Sequence, residues 1–230
     1  MKLAIHQPQY MPWCGYFHKI ACADLFVLLD DVQYKKNEWQ HRNRIRTSQG
    51  WQWFSVPNQY QFPQKISDVR VNNAMRWQEK HWRSLCASYG KAAFFNRYRE
   101  EFERFFAGSW DFLSPLNCDS VRLLARLLGI HTPMELSSPH HFPGASTERL
   151  VNICRHFNAD IYLSGAGGKE YLDVSLFEKA GISVEFQEFS CPVYAQHWSR
   201  DAADFIPGLS AVDLLFNCGE ESLRLLMGKT

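Results

Sequence analysis

The chain has 230 residues, 46% of them hydrophobic and 15% aromatic, a globular composition rather than a disordered or fibrous one. Its 25 Lys and Arg nearly cancel its 24 Asp and Glu, and a net charge of +1 argues against a generalist nucleic-acid binder. No run approaches the ~18 apolar residues of a membrane span, and the N-terminus lacks the apolar stretch of a signal peptide. The expectation is a cytoplasmic protein of one domain, long enough to bury a core without disulfides.

Seven widely spaced cysteines with no CxxC pair predict neither a zinc site nor a redox motif. Charge is uneven. Residues 1–115 hold 16 basic and 10 acidic residues, net +6, and residues 116–230 hold 9 and 14, net −5. The first half is where an anionic ligand would be drawn.

Lys2 to Ile5 reads as a buried strand stopped by His6-Gln7-Pro8. Gly15 to Cys22 reads as a short helix, and Leu25 to Leu29 as an interior parallel strand ending in Asp30-Asp31. Arg44–Thr47 and Trp51–Val56 flank Ser48-Gln49-Gly50 as a hairpin. Between Asn73 and Leu128 the period turns helical, with Trp77, His81, Leu85 and Tyr89 four apart. A helix from Ser146 to about Phe157 precedes a strand at Asp160–Leu163, and Ile182–Phe186 follows as another strand. The stretch from Leu209 is helical, broken near Cys218-Gly219. Alternating strands and helices predict an α/β fold with a mostly parallel sheet, flanking helices and a helical insertion at roughly 73–128.

Three stretches follow strands, where open α/β sheets bind ligands. In the first, His6 can donate to a phosphate or move a proton, and the prolines hold the turn rigid. Gly15 there would admit a close backbone approach, with Gln7, Tyr10, Trp13, Tyr16 and Lys19 alongside. In the second, either Asp30 or Asp31 could serve as a general base, followed by Gln33, Tyr34, Lys36, Trp39, Arg42 and Asn43. Lys35 to Arg46 carries five basic residues and one acidic, and Trp39, Trp51 and Trp53 could stack on bases, although a charge run alone is ordinarily a solvated loop. In the third, Ser164-Gly165-Ala166-Gly167-Gly168-Lys169 could cradle an anion, with Tyr171 beside it, but the Walker spacing fails. Tyr194 and Gln196 are polar residues that could line a pocket. His140-His141 and Cys154-x-His156 lack the partners of a metal site, and no local signature makes Cys191 or Cys218 a nucleophile.

These stretches, taken together, resemble the WbqC-like family of bacterial proteins. The residues that carry the resemblance are His6-Gln7-Pro8-Gln9-Tyr10, Pro12-Trp13, Gly15-Tyr16-Phe17, Lys19-Ile20, Asp24-x-Phe26-Val27, Leu29-Asp30-Asp31-Val32-Gln33-Tyr34, Trp39, Arg42-Asn43 and Ile45. Further on they are Thr147-Glu148-Arg149-Leu150, Tyr162-Leu163-Ser164-Gly165, Gly168-Lys169, Tyr171-Leu172, Ser210 and Asp213-Leu214-Leu215-Phe216-Asn217-Cys218-Gly219. The resemblance implies a context of O-antigen, other surface-polysaccharide or specialised-metabolite gene clusters. The strand–turn–helix opening also looks like the HxGH nucleotidyl-transfer fold, but His6 and His18 lack that spacing.

The expected activity is a small-molecule transferase, for example aminoacyl or acyl transfer to a sugar-nucleotide or amino sugar. His6, Asp31 and Lys169 are its expected catalytic residues, and a small anionic or nucleotide-linked metabolite its partner. Two alternatives stand beside it: a scaffold protein without turnover, and an enzyme gripping a tRNA acceptor end. The sequence names no cofactor and no oligomeric state, and it places no metal.

Overall fold

Strand β1 (Lys2–His6) alternates its side chains between two apolar layers, as a pleated strand must. The computed structural model describes residues 1–228. Leu3 and Ile5 of β1, with Leu25 and Val27 of β2 (Leu25–Leu28), face one layer. Ala4, Phe26 and Leu28 face the other. Both faces are therefore covered, which is why these strands read as continuous apolar runs.

The sheet has five strands in the order β7-β2-β1-β8-β9, with β7 at Met134–Leu136, β8 at Ile161–Ser164 and β9 at Ser183–Phe186. Every pairing is parallel. The chain winds from β1 outward through β2 to β7, then returns to the far side of β1 to form β8 and β9. Strands β1 and β8, with Lys2 opposite Ile161, are thus the place where the winding reverses. Edge strand β7, only three residues with Glu135 at its centre, has no apolar run to announce it in the sequence.

Helix α1 (Cys14–Ala21) packs Phe17 and Ile20 into the layer of Ala4, Phe26 and Leu28. Helices α5 (Ser146–His156) and α6 (Val174–Lys179) cover the opposite face through Leu150, Val151, Ile153 and Phe177. Asp173 caps α6 by accepting from the Ser175 amide at 3.1 Å.

The long connection from β2 to β7 holds the expected hairpin, β3 (Arg42–Thr47) and β4 (Gly50–Ser55), and a small ladder of β5 (Asn58–Gln59) with β6 (Arg70–Val71). The helical insertion consists of three helices, α2 (Trp77–Tyr89), α3 (Phe95–Phe106) and α4 (Leu113–Leu127). In α3, Phe95, Tyr98, Phe102, Phe105 and Phe106 recur at three- and four-residue steps and are all buried. Helices α7 (Ala211–Cys218) and α8 (Ser222–Leu226) close the layer of Ala4, Phe26 and Leu28 with Phe216, Leu215 and Leu226. Each fully buried Leu or Phe contributes roughly 1.5–3 kcal/mol. No helix among the described residues is long and apolar enough to cross a membrane.

Candidate functional site

Side chains in an open parallel sheet end where the strands end, and there the main chain turns toward solvent with polar groups unused. At the reversal point, the carboxyl ends of β1 and β8 part around a crevice of about 420 Å³. Its floor is Ile5, His6, Gln7 and Tyr162, its sides are Leu29 and Leu150, and its far wall is Gly165, Gly167, Gly168, Glu170 and Tyr171. Lys19 reaches into it from α1.

Lys19 is 3% exposed and meets no carboxylate among the described residues. Its Nζ donates to the Ile5 carbonyl at 2.8 Å. Burial pushes its pKa down to about 7. A buried ammonium with one carbonyl for a partner is costly, and such groups gather where a ligand supplies the missing charge. A larger depression between α2 and α3 is different, since Arg76 and Glu79 in its wall already pair with each other.

His6 sits half-buried on the crevice floor against the Tyr16 ring, with centroids 4.9 Å apart. Its Nε2 is 3.4 Å from Gln9 Nε2, and its buried Nδ1 meets no partner within the protein. Burial, with the charge of Lys19 added, lowers its pKa to about 3, so the imidazole stays neutral. Tyr16 lies behind the crevice and fixes the floor by donating to the Gln7 carbonyl at 3.1 Å.

The glycines of the third stretch divide into two kinds. A Cβ on Gly168 would stand 2.0 Å from Ser164 Oγ, so the protein itself requires that glycine. A Cβ on Gly165 or Gly167 would meet nothing within 4 Å. Both line the crevice, so what they spare is room in it rather than room in the core.

The remaining expected residues are placed elsewhere. Ser164 is buried behind the wall, its Oγ donating to the Gly165 carbonyl at 3.1 Å. Lys169 is exposed, with its ammonium 5.4 Å above the Phe186 ring rather than in the crevice. Asp30, 3% exposed, accepts from Ser114, Ser137 and Ser138. Asp31 is ion-paired with Arg149 and accepts from Ser137 Oγ at 2.6 Å. With Gln33, that pair lines a neighbouring cavity at the end of β2. Tyr10 is fully buried and its hydroxyl bonds His81 Nδ1 at 2.9 Å. Tyr34 is buried with its hydroxyl 2.8 Å from His41 Nδ1. Asn43 is buried and donates to the Met11 carbonyl at 2.9 Å. Trp13 packs on Phe189, and its indole fills the space a side chain on Gly15 would need. Lys36 is exposed in the loop before β3, while Trp39 and Arg42 stand on the hairpin face. Tyr194 and Gln196 both donate to Asp213 Oδ2, at 2.7 and 2.9 Å, under α7.

Sequence reasoning passed over Ile5, Leu29, Leu150, Tyr162 and Glu170, all of which line the crevice. Glu170 carried a signal: it is the acidic residue next to the glycine turn, and it makes no ion pair among the described residues. Among those residues no three His, Cys, Asp or Glu side chains gather as a metal site.

Buried histidines give the fold an acid limit. Burial lowers His41 and His81 to about 4, Arg42 adding to the effect on His41, and the Ser55 carbonyl opposes it at His81. As pH falls from about 6.5, the unfolded chain takes up protons that His6, His41 and His81 refuse in the fold. Stability therefore falls with pH, by roughly 1–2 kcal/mol per histidine at pH 5. Thermal unfolding at pH 7 and pH 5 checks this, and an unchanged midpoint would overturn it.

A wholly parallel sheet with a reversal at β1 and β8 puts the protein in the doubly wound α/β class, its crevice lying where that class binds ligands. Residues 7–225 match the WbqC-like protein family, and the chain belongs to that family. It is 37% identical over 225 residues to Rv1507c, an uncharacterized protein of Mycobacterium tuberculosis strain H37Rv, covering 96% of this chain and 95% of that one. No solved structure matches the chain with significance.

Proposed function

We propose that the chain is a small-molecule transferase acting in the β1/β8 crevice, with acyl or aminoacyl transfer to an amino sugar, as in surface-polysaccharide or related biosynthesis, the reaction that suits it. The observation that carries this reading is Lys19, a buried ammonium without a carboxylate, facing a crevice whose rim holds the unpaired Glu170. A ligand with an anionic group at one end and an amino group at the other satisfies both charges. Phosphate or carboxylate takes Lys19, and the uncovered main chain at Gly165 and Gly167 lets the substrate approach closely.

Chemistry then falls to His6. The acceptor amine attacks the acyl carbonyl, a C–N bond forms, and the donor's C–O or C–S bond breaks. An anion seated on Lys19 offsets the charge that helps burial hold the His6 pKa near 3, and the imidazole then takes the amine proton and passes it to the leaving group. Asp31 acts through its hold on Arg149 beside the crevice, and Lys169 adds positive charge outside the wall.

A thermal-shift screen with sugar-nucleotides, amino sugars, amino acids and acyl-CoAs tests the reading. A ligand at ~100 times its Kd adds roughly 2.7 kcal/mol of stability. A Cβ on Gly167 meets no atom within 4 Å, so Gly167→Leu should fold normally, take up room in the crevice and lose that shift. His6→Gln should keep the shift and lose turnover. A shift that survives Gly167→Leu places the ligand elsewhere and overturns the proposal. Binding with no turnover under any donor and acceptor pair favours the scaffold reading.

A further inference from the structure

Directly opposed residues of an antiparallel hairpin share a face, and β3 and β4 pair Arg44 with Trp53 and Arg46 with Trp51. One face of this hairpin holds Asn43, Ile45 and Phe54, all buried in the core. The other holds Arg42, Arg44, Arg46, Trp51 and Trp53, and Trp39 from the preceding loop joins it. Arg42 lies 4.1 Å over the Trp53 ring, and Arg44 lies 5.1 Å from Trp51 and 5.9 Å from Trp39.

Three indoles joined through Trp53, which lies 5.4 Å from Trp51 and 5.9 Å from Trp39, would ordinarily be core. Here Trp39, Trp51 and Trp53 are 38%, 43% and 43% exposed. Arg42 and Arg44, which lie among them, form no ion pair among the described residues. Arg42 donates to the Asn37 carbonyl, and Arg44 to those of Pro207 and Gly208. Arg46, buried at the base of the face, donates to the Gly50 carbonyl and to Ser199 and is offset by the nearby Asp204 and Asp213, so the open charge is that of Arg42 and Arg44. Lys35 and Lys36 are exposed at the entry to the hairpin and form no ion pair among the described residues. The face therefore presents ring surface and uncompensated positive charge together.

We propose that this face is a docking platform for single-stranded nucleic acid, whose bases stack on the indoles while phosphates meet the arginines and lysines. Charge decides the occupant. A neutral glycan could stack on the rings but would leave the cations unanswered, and the outward strand positions offer it no carboxylate or amide. A duplex hides its base faces and cannot stack. The platform begins beside the crevice, because Gln40 joins the loop to Gln7 on the crevice floor with a 2.6 Å hydrogen bond. The proposal does not depend on what occupies the crevice.

The test is titration with an eight-nucleotide single-stranded RNA, read by quenching of intrinsic tryptophan fluorescence and by anisotropy of a labelled strand. With three or so phosphates engaged, affinity should fall roughly ten- to twenty-fold between 50 and 200 mM salt. Trp53→Ala should weaken binding about tenfold or more. The Lys35→Glu/Lys36→Glu double variant alters only exposed residues, keeps the fold, and should weaken binding and flatten the salt response. Lys19→Met should leave binding unchanged, which separates this platform from the crevice. No binding by the folded wild-type protein at 50 mM salt overturns the proposal. So does equal binding of a duplex, indifference to both variants, or salt-independent quenching by an uncharged oligosaccharide.

Discussion

Lys19→Met is expected to make the protein more stable and to abolish ligand binding in the crevice. Lys19 is 3% exposed, and its ammonium has only the Ile5 carbonyl for company. Its pKa falls from the ordinary 10.5 to about 7, a difference that caps the cost of burying the charge at about 5 kcal/mol. Methionine has a similar length and shape and carries no charge. It leaves the Ile5 carbonyl without that donor, which costs ~1–3 kcal/mol. The net gain should be about 1–3 kcal/mol at pH 6, or a rise of several degrees in Tm for a chain of this size.

The sign of its pH dependence is fixed. Below pH 7 the lysine is charged in both folded and unfolded chains, and the burial penalty is complete. Between about pH 7 and 10.5 the folded chain has released a proton that the unfolded chain keeps, so wild-type stability rises with pH. The advantage of methionine should therefore be largest at pH 6 and shrink by pH 9. Denaturation of both proteins at the two pH values checks this. A Lys19→Met protein less stable than wild type at pH 6 would sink the argument that the lysine is kept for a ligand. Stability surrendered at one buried position is the expected mark of a functional residue.

Much of this arrangement was legible in the sequence, because its signals are local. Leu3 to Ile5 and Leu25 to Leu28 are apolar runs that only a doubly covered strand explains, and His6 and Ser164 mark the ends of two such strands. The adjacency of those ends was not legible. Lys2 pairs with Ile161 across the whole insertion, and no local pattern encodes a contact of that separation. For the same reason the crevice's Leu29 and Leu150 read as ordinary core residues. A strand-to-helix turn also scatters its side chains. His6 and Gln7 point to the crevice, whereas Tyr10, three residues later, is stacked on Phe54 in the core. The family pattern runs through both kinds of position, so membership does not separate residues that hold the fold from residues that face a ligand.

Asp30 shows how far the two roles can differ between neighbours, and Asp30→Ala is expected to destabilise the protein by about 3–5 kcal/mol. Its carboxylate accepts from Ser114 Oγ at 3.1 Å, Ser137 Oγ at 3.2 Å, and Ser138 N and Oγ at 3.0 and 2.9 Å. Those donors lie in the first turn of α4 and in the loop after β7, so one side chain ties two distant segments to the end of β2. Alanine leaves the Ser138 amide and the surrounding hydroxyls without their acceptor in a site only 3% open to water. Asp31, one residue on, is held instead by Arg149, whose side chain keeps 17% of its exposure. Asparagine keeps an acceptor oxygen for Ser137 Oγ and Arg149, so Asp31→Asn should cost less, about 1–2 kcal/mol. Urea unfolding of the two variants separates them. If Asp30→Ala lost no more stability than Asp31→Asn, Asp30 would not be the tie between the three segments. The crevice depends on that tie at one remove, because the chain leaving β2 runs from the crevice's Leu29 straight into Asp30. Loosening it should widen the spread of ligand affinities without removing any group that touches the ligand.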